Sequence, residues 1–234
     1  MILVVQHAEA TNYARWSTPG KVDIYVLPPG IDRISPTRQH ILENVGGNRL
    51  LCMVDDDLRF FKRRDDQRDK LREIQPSELR DAFAEMGHYL DLDYQHAGFA
   101  AREGANRNTG EFMFHTRMMR VLGYNRNWVL QRDLRFDRTS FMQDFDMHLQ
   151  ILRAGGKSIL LNNYAHNQGS SNAPGGCSKT RTMEKLAEAA HTLQSLHPKF
   201  VRLSERETKT AWGGGTRTDV TVSWKKAFEE GQAK

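Results

Sequence analysis

Short apolar runs alternate with amphipathic stretches along most of the chain. Runs that predict strands lie at residues 1–6, 22–27, 50–54, 128–130 and 157–164, with further strands predicted in 94–110, from Phe112 and in 219–224. Apolar positions recur at helical spacing in residues 35–45, 76–90, 139–154 and 179–197. This order of strands and helices predicts an α/β fold, with a mainly parallel sheet flanked by helices.

The run at residues 50–54 ends in three consecutive carboxylates, Asp55, Asp56 and Asp57. A short, continuous apolar run predicts a strand buried on both faces. Open α/β sheets bind ligands beyond the carboxyl ends of their strands, and two carboxylates one residue apart can share a divalent cation. The run therefore indicates either a ligand site or, more plainly, a polar loop or a carboxylate that caps the next helix.

Later in the chain lie two residues, a carboxylate and a histidine, whose side chains would suit such a site. Asp144 lies in the first turn of the predicted helix at residues 139–154, and His166 follows the predicted strand at 157–164. The helix dipole favours a carboxylate in a first turn, so Asp144 needs no catalytic role. A lone histidine is more often structural than a ligand. His166 becomes a candidate ligand only if its strand end neighbours Asp55 and Asp57.

Composition and charge narrow the class of protein. The 234 residues carry a net charge of +5 and a pI near 9.3, which suits a polyanionic partner or simply solvated helix faces. The sequence contains no apolar run of 18 residues and does not begin with a secretory signal, so we expect no membrane segment. Cys52 and Cys177 form no disulfide framework, which indicates a reducing compartment such as the cytoplasm.

Basic residues are concentrated in two segments. Residues 59–75 predict an exposed loop or a frayed helix, and residues 199–226 hold seven Lys or Arg against three Asp or Glu. Either segment could be a solvated surface, and the second could be a glycine turn leading into a strand. If they instead contact phosphates, the candidates are Arg63, Arg64, Lys209, Arg217, Lys225 and Lys226.

Four motifs in order resemble those of the phage glycosyltransferases associated with TET/JBP-type dioxygenases, which have a GT-A-like, Rossmann-like fold. The motifs are Ser35-Pro36-Thr37-Arg38-Gln39, Val54-Asp55-Asp56-Asp57-Leu58, Met142-Gln143-Asp144-Phe145-Asp146, and His166-Asn167-Gln168 with Gly175-Gly176-Cys177-Ser178. The resemblance covers roughly residues 1–226. It implies a catalytic domain at residues 1–198 and a basic extension at 199–234 that packs on or near the active site.

The resemblance also implies a reaction and residue roles. The family moves a sugar from a nucleotide-sugar donor, such as a UDP-sugar, to 5-hydroxymethylcytosine or a related hydroxymethylpyrimidine in DNA. Mn²⁺ or Mg²⁺ would be held by Asp55, Asp57 and His166, and Arg38, Asp55 and Asp56 would contact the donor. Asp144 would be the general base. In a phage-encoded enzyme the compartment would be the host cytoplasm.

Other functions remain compatible with the sequence. Clustered carboxylates also serve metal-dependent nucleases and phosphotransferases. The acceptor of a glycosyltransferase could be a glycan or a protein, and a basic tail alone could belong to a non-catalytic nucleic-acid-binding module. The strand at residues 1–6 either begins an abbreviated donor site or follows a missing element. The sequence does not fix the sugar, the nucleotide or the oligomeric state.

Overall fold

The computed structural model describes residues 1–105, 108–168, 182–208 and 215–233. The strands in these ranges are β1 (Ile2–Val5), β2 (Asp23–Val26), β3 (Leu50–Val54), β4 (Leu58–Arg63), β5 (Leu71–Glu73), β6 (His96–Ala101), β7 (Phe112–Phe114), β8 (Val121–Asn125), β9 (Ser158–Gln168), β10 (Val201–Thr208) and β11 (Gly215–Val222). The helices are α1 (Ala10–Tyr13), α2 (Ile34–Asn44), α3 (Pro76–Leu92), α4 (Arg126–Gln131), α5 (Gln143–Arg153), α6 (Met183–Leu196) and α7 (Trp224–Gln232). In these ranges no helix has the length and apolar character needed to cross a membrane.

Seven strands form the central sheet in the order β3-β8-β6-β9-β4-β5, with β7 paired to β9. Among these described strands β6 and β9 pair in parallel, whereas the other neighbours are antiparallel. The expected mainly parallel sheet is therefore not confirmed. The sheet is mixed because β8 returns between β3 and β6, and because the charged stretch 59–75 contributes β4 and β5. Outside this sheet, β1 and β2 form a parallel pair and β10 and β11 an antiparallel hairpin.

Helices cover both faces of the central sheet and give an α/β fold in three layers. On one face α3 packs its buried stripe against the sheet through Ala82, Met86, Leu90, Phe99, Val121, Ile159 and Leu161. On the other face α2, α4 and α5 form a second core with Leu42, Val129, Met147, Ile151, Leu122, Tyr124 and Leu160. Neighbouring residues of β8 face opposite cores, because side chains alternate along a strand.

Three local predictions are wrong. Residues 50–54 form β3, but the strand lies at an edge of the sheet, where Val54 is 43 % exposed instead of buried. Residues 128–130 belong to α4, because the Asn125 side chain caps that helix by accepting a hydrogen bond from the Trp128 backbone N–H. The stretch 59–75 contains two strands, which its many arginines concealed.

The C-terminal segment packs on α5 through a third cluster of buried side chains. Its members include Leu149, Leu152, Leu193, Phe200, Val201 and Ala227. At the far end of this contact Gly231 of α7 lies directly against the backbone of α5, and a Cβ atom at this position would overlap the Leu152 carbonyl. The glycine therefore sets how closely the two helices approach. The domain boundary at residue 198 stays a prediction.

Two Gly→Ala substitutions are expected to have opposite effects on stability. Gly231→Ala should cost about 1–3 kcal/mol, because the added methyl group overpacks a rigid backbone contact. Gly87→Ala in α3 should stabilise the protein by about 0.5–1 kcal/mol, since nothing lies within 4 Å of the new atom and alanine is the better helix former. Thermal or urea unfolding of both variants measures the difference. Equal effects would contradict the α5–α7 packing.

Candidate active site

The central sheet brings the predicted strand ends together. Since β3, β6 and β9 run in the same direction, their carboxyl ends meet at one edge of the sheet. Two backbone hydrogen bonds connect the segments there: the Asp55 N–H donates to the Arg120 carbonyl at 3.0 Å, and the Arg102 N–H donates to the His166 carbonyl at 2.8 Å. We call this region, from Asp55–Asp57 to Arg120 and His166, the carboxylate edge.

Asp55 is held by a single buried cation. The Arg38 guanidinium, 8 % exposed, donates a 2.9 Å hydrogen bond to the Asp55 carboxylate, which is 31 % exposed. Withdrawal from water raises the pKa of Asp55, the Arg38 charge and hydrogen bond oppose that rise, and the nearby charges of Asp144 and Asp57 add to it. These interactions indicate that Asp144 lies near the turn that holds Asp55 and Asp57, with Arg38 as the buried counter-charge of Asp55.

The other polar residues around Arg38 hold the loop that leads into α5. Ser35 Oγ donates to the Thr139 carbonyl at 2.6 Å, and Gln39 Oε1 accepts from the Phe136 N–H at 2.8 Å. Both side chains are buried. The motif at residues 35–39 therefore positions two site components at once, Asp55 through Arg38 and the start of α5 through the loop.

Two acidic residues in the first turn of α5 have different environments. Asp144 is half-buried, and its charge acts on Asp55 and on Arg117. Asp146 has no exposed surface; it accepts hydrogen bonds from His197 at 2.7 Å and from Gln150 at 2.9 Å. Asp146 is thus a structural residue, whereas Asp144 is accessible to a substrate at the carboxylate edge.

The helix that carries Asp144 starts from an unusual backbone conformation. Met142, the residue before α5, has φ 60° and ψ 24°, in the left-handed region that residues other than glycine seldom adopt. From the other side Trp224 of α7 stacks on Phe145, with ring centroids 5.5 Å apart. The C-terminal segment therefore contacts the residue next to Asp144.

The three predicted metal ligands lie at this edge but do not converge. Asp55 is bound to Arg38, and Asp57 accepts a 2.6 Å hydrogen bond from Gln168. His166 is completely buried, and neither ring nitrogen has a hydrogen-bond partner of good geometry in the described ranges. Burial, followed by the Arg120 charge, lowers the pKa of His166 to about 4 against a small opposing contribution from the Met119 backbone, so the ring is neutral near pH 7.

The arrangement does not fit a metal ion as it stands. Among the residues that the structure describes, no three His, Cys, Asp or Glu side chains are placed to hold one. The ring nitrogens of His166 have no hydrogen-bond partner of good geometry in the described part of the chain, as expected of a metal ligand. The carboxylates of Asp55 and Asp57, however, bind Arg38 and Gln168. Asp56 is exposed at the same turn.

The predicted phosphate contacts have mixed outcomes. Arg63 must be corrected: it is 1 % exposed and donates to the carbonyls of Asn162 and Ala105 at 3.0 and 2.9 Å, so it cannot reach DNA. Arg64 pairs with Asp66, and Arg217 with Asp219 at 2.7 Å. Lys225 and Lys226 are exposed on α7. Lys209 and the motif at residues 175–178 lie outside the described residues.

The prediction from sequence missed two arginines at the carboxylate edge. Arg117 and Arg120 lie in the segment between β7 and β8, which was expected to be one strand beginning at Phe112. The Arg117 guanidinium carbon lies 4.7 Å from the centre of the Phe145 ring, beside Asp144. The sequence did contain a hint of these site residues: the two arginines are three residues apart, and they follow an apolar strand next to a polar loop.

Comparison with known proteins assigns the family. Two phage proteins named beta-glucosyl-HMC-alpha-glucosyl-transferase are similar to this chain. That of Enterobacteria phage T2 is 24 % identical over 216 residues, and that of phage T6 is 23 % identical over 212, each covering 86 % of this chain and 73 % of the relative. No solved structure matches. The model of the family called TET-Associated Glycosyltransferase matches residues 1–176, three quarters of the chain, and the chain therefore belongs to that family of glycosyltransferases.

Proposed function

We propose that this glycosyltransferase moves a sugar from a nucleotide-sugar donor, such as a UDP-sugar, to a hydroxyl group on 5-hydroxymethylcytosine or a related hydroxymethylpyrimidine in DNA. The observation that carries the proposal is the accessible carboxylate of Asp144 beside the Arg38–Asp55 pair. These two carboxylates, which we propose as the base and as a contact of the donor, lie near each other. The named activity of the phage relatives supports a hydroxymethylated acceptor.

In the proposed reaction Asp144 removes a proton. Its carboxylate accepts the proton of the acceptor hydroxyl while the hydroxyl oxygen attacks the anomeric carbon of the donor sugar. The bond between that carbon and the diphosphate oxygen breaks, and the nucleoside diphosphate leaves with the bonding electrons. One carboxylate acting on the acceptor fits a single displacement with inversion at the anomeric carbon.

Arg38, Asp55 and Asp56 are proposed to orient the donor. Asp55 accepts from Arg38 with one oxygen, which leaves its other oxygen free to accept from a ribose or sugar hydroxyl. Asp56 is exposed beside it and could accept another such hydrogen bond. Metal dependence, with Asp55, Asp57 and His166 as ligands of Mn²⁺ or Mg²⁺, stays a prediction from the sequence. No step of the proposed reaction uses the ion.

The acceptor hydroxyl has two possible sources. It belongs either to the hydroxymethyl group itself or to a sugar already attached to it, and the name of the phage relatives points to the second case for those proteins. Incubation of the enzyme with a panel of nucleotide sugars and three matched duplexes, containing cytosine, 5-hydroxymethylcytosine or its glucosylated form, separates the cases. Release of nucleoside diphosphate should depend on one of the modified duplexes. Release that is equal with all three would contradict the proposal.

Family membership favours sugar transfer over a nuclease or phosphotransferase activity. The same incubation tests the remaining alternatives. Nicking of the plain duplex without sugar transfer would support a nuclease, and transfer to added glycans or proteins but to no duplex would move the acceptor to those classes.

If DNA is the acceptor, exposed lysines of α7 are expected to contact its phosphates. Lys225 and Lys226 are exposed beside the helix that carries Asp144. Each phosphate neutralised contributes about −0.9 to the slope of log affinity against log salt concentration. Lys225→Ala/Lys226→Ala should flatten the slope by about one to two units, and adding Arg217→Ala should flatten it further. Fluorescence anisotropy of a labelled duplex across salt concentrations measures this.

A matched control removes two lysines elsewhere. Lys21 and Lys70 are exposed, and the double variant Lys21→Ala/Lys70→Ala keeps the same net charge as the α7 variant. Its slope should match that of the wild type. An equal change in both double variants would show a general charge effect and contradict a specific contact at α7.

A further inference from the structure

Two cations of the carboxylate edge, Arg117 and Arg120, form no ion pair with a carboxylate in the part of the chain that the structure describes, although the charges of Asp144 and Glu103 act on Arg117. In the described ranges no hydrogen bond or ion pair forms to the guanidinium of Arg117 or of Arg120, whereas fifteen other arginine and lysine side chains pair with carboxylates, carbonyls or a histidine ring. The Arg117 guanidinium lies over the face of the Phe145 ring. Each of the two guanidinium groups can therefore bind an anion from outside the protein.

Both arginines lie among the site residues already described. The Arg120 carbonyl accepts the hydrogen bond from the Asp55 N–H, and the Arg120 charge acts on His166. Arg117 contacts the ring of Phe145, the residue after Asp144, and the Asp144 charge acts on it. Arg117 is thus connected to the predicted base, and Arg120 to Asp55 and to His166 of β9.

The local energetics also indicate a ligand. Desolvation lowers the pKa of Arg117, and the Arg120 charge lowers it further against the opposing charges of Asp144 and Glu103. Arg120 has φ 64°, a left-handed conformation that costs about 1–2 kcal/mol for a residue other than glycine. An anion bound close to both cations would offset their repulsion.

We propose that Arg117 and Arg120 bind the diphosphate of the donor and neutralise the charge that develops on it as the sugar leaves. This rests on the proposed function, since the anion is taken to be the leaving group of that reaction. Arginine suits the role because its planar guanidinium donates paired hydrogen bonds to phosphate oxygens. Positive charge placed in advance where negative charge develops lowers the barrier. The side chains of Arg117 and Arg120 would supply that positive charge.

The test measures anion binding apart from sugar transfer. Isothermal titration calorimetry with UDP and with inorganic pyrophosphate, in EDTA, compares the wild type with Arg117→Gln/Arg120→Asn. Asparagine tolerates the left-handed conformation at residue 120 better than most residues do, so the backbone is preserved. Arg117→Lys/Arg120→Lys keeps both charges, and Lys70→Gln/Arg80→Gln removes two exposed charges elsewhere. Circular dichroism melts check that each variant is folded.

We expect both probes to bind the wild type without metal, and the Gln/Asn variant to lose about tenfold in affinity per arginine, about a hundredfold in all. The Lys/Lys variant, which keeps the charges but loses the paired hydrogen bonds, should bind more weakly than the wild type and more tightly than the Gln/Asn variant, and the Lys70/Arg80 control should keep all of the affinity. If the folded Gln/Asn variant binds like the wild type, or if the wild type binds neither probe in EDTA, the proposal is overturned. Binding that depends on the arginines in a protein that transfers no sugar to DNA would support this anion site and refute the proposed function.

Discussion

Replacement of Asp144 by Asn is expected to lower the turnover number by about 10²–10⁴, the usual range for loss of a general base. The amide is nearly isosteric with the carboxylate and leaves the start of α5 intact, but it cannot accept the acceptor proton. Donor affinity should change little, because Arg38 and Asp55 are untouched.

Steady-state rates at saturating donor, together with calorimetric donor binding, measure the two quantities separately. A pH–rate profile adds a second readout: the limb due to the base should disappear in Asp144→Asn. Near-normal turnover would return Asp144 to a purely structural role in the first turn of α5, where the helix dipole alone accounts for a carboxylate.

The largest effect on stability is expected at the neighbouring carboxylate. Asp146→Ala should cost about 3–5 kcal/mol of unfolding free energy, because it leaves buried polar partners without their counter-charge. The carboxylate of Asp146 is completely buried and is bound by His197, Gln150 and, at 3.4 Å, Arg138. Through His197 it also connects α5 to the end of α6.

Urea unfolding of Asp146→Ala and Asp144→Asn gives a direct comparison of the two residues. The first should unfold at a much lower urea concentration, and the second should unfold close to the wild type. If Asp146→Ala were as stable as the wild type, Asp146 would not be the structural carboxylate. If that stable variant also lost turnover, the catalytic role would belong to Asp146 instead of Asp144.

The sequence predicted which strand ends carry the candidate residues better than it predicted how the strands pair. Asp55 and His166 were expected to be neighbours only if their strand ends met, and the shared direction of β3, β6 and β9 brings those ends to one edge. The mixed sheet was missed in part because half of the residues of β4 are basic, so that it did not look like a strand of the sheet. There the buried Arg63 satisfies backbone carbonyls, so its charge did not indicate exposure.

Side-chain partners were beyond what a pattern of residue types can show. Nothing in the acidic run indicates that Arg38 faces Asp55 or that Gln168 faces Asp57. These two contacts depend on the spacing of α2 and of β9 from β3, and tertiary packing sets that spacing. For the same reason the spacing of Arg117 and Arg120 in the sequence did not show their importance, which comes from the effects of Asp144 on Arg117 and of Arg120 on His166 in the folded chain.

Mass spectrometry of nucleosides shows whether the enzyme transfers a sugar to hydroxymethylated DNA. Duplex DNA containing 5-hydroxymethylcytosine, and the same duplex already glucosylated, is incubated with the enzyme and a panel of nucleotide sugars and then digested to nucleosides. We expect one modified nucleoside to gain the mass of a single sugar residue with the wild type, and the product to fall to trace levels with Asp144→Asn. An unchanged nucleoside mass with every donor, for an enzyme that binds nucleoside diphosphate, would contradict the proposed function.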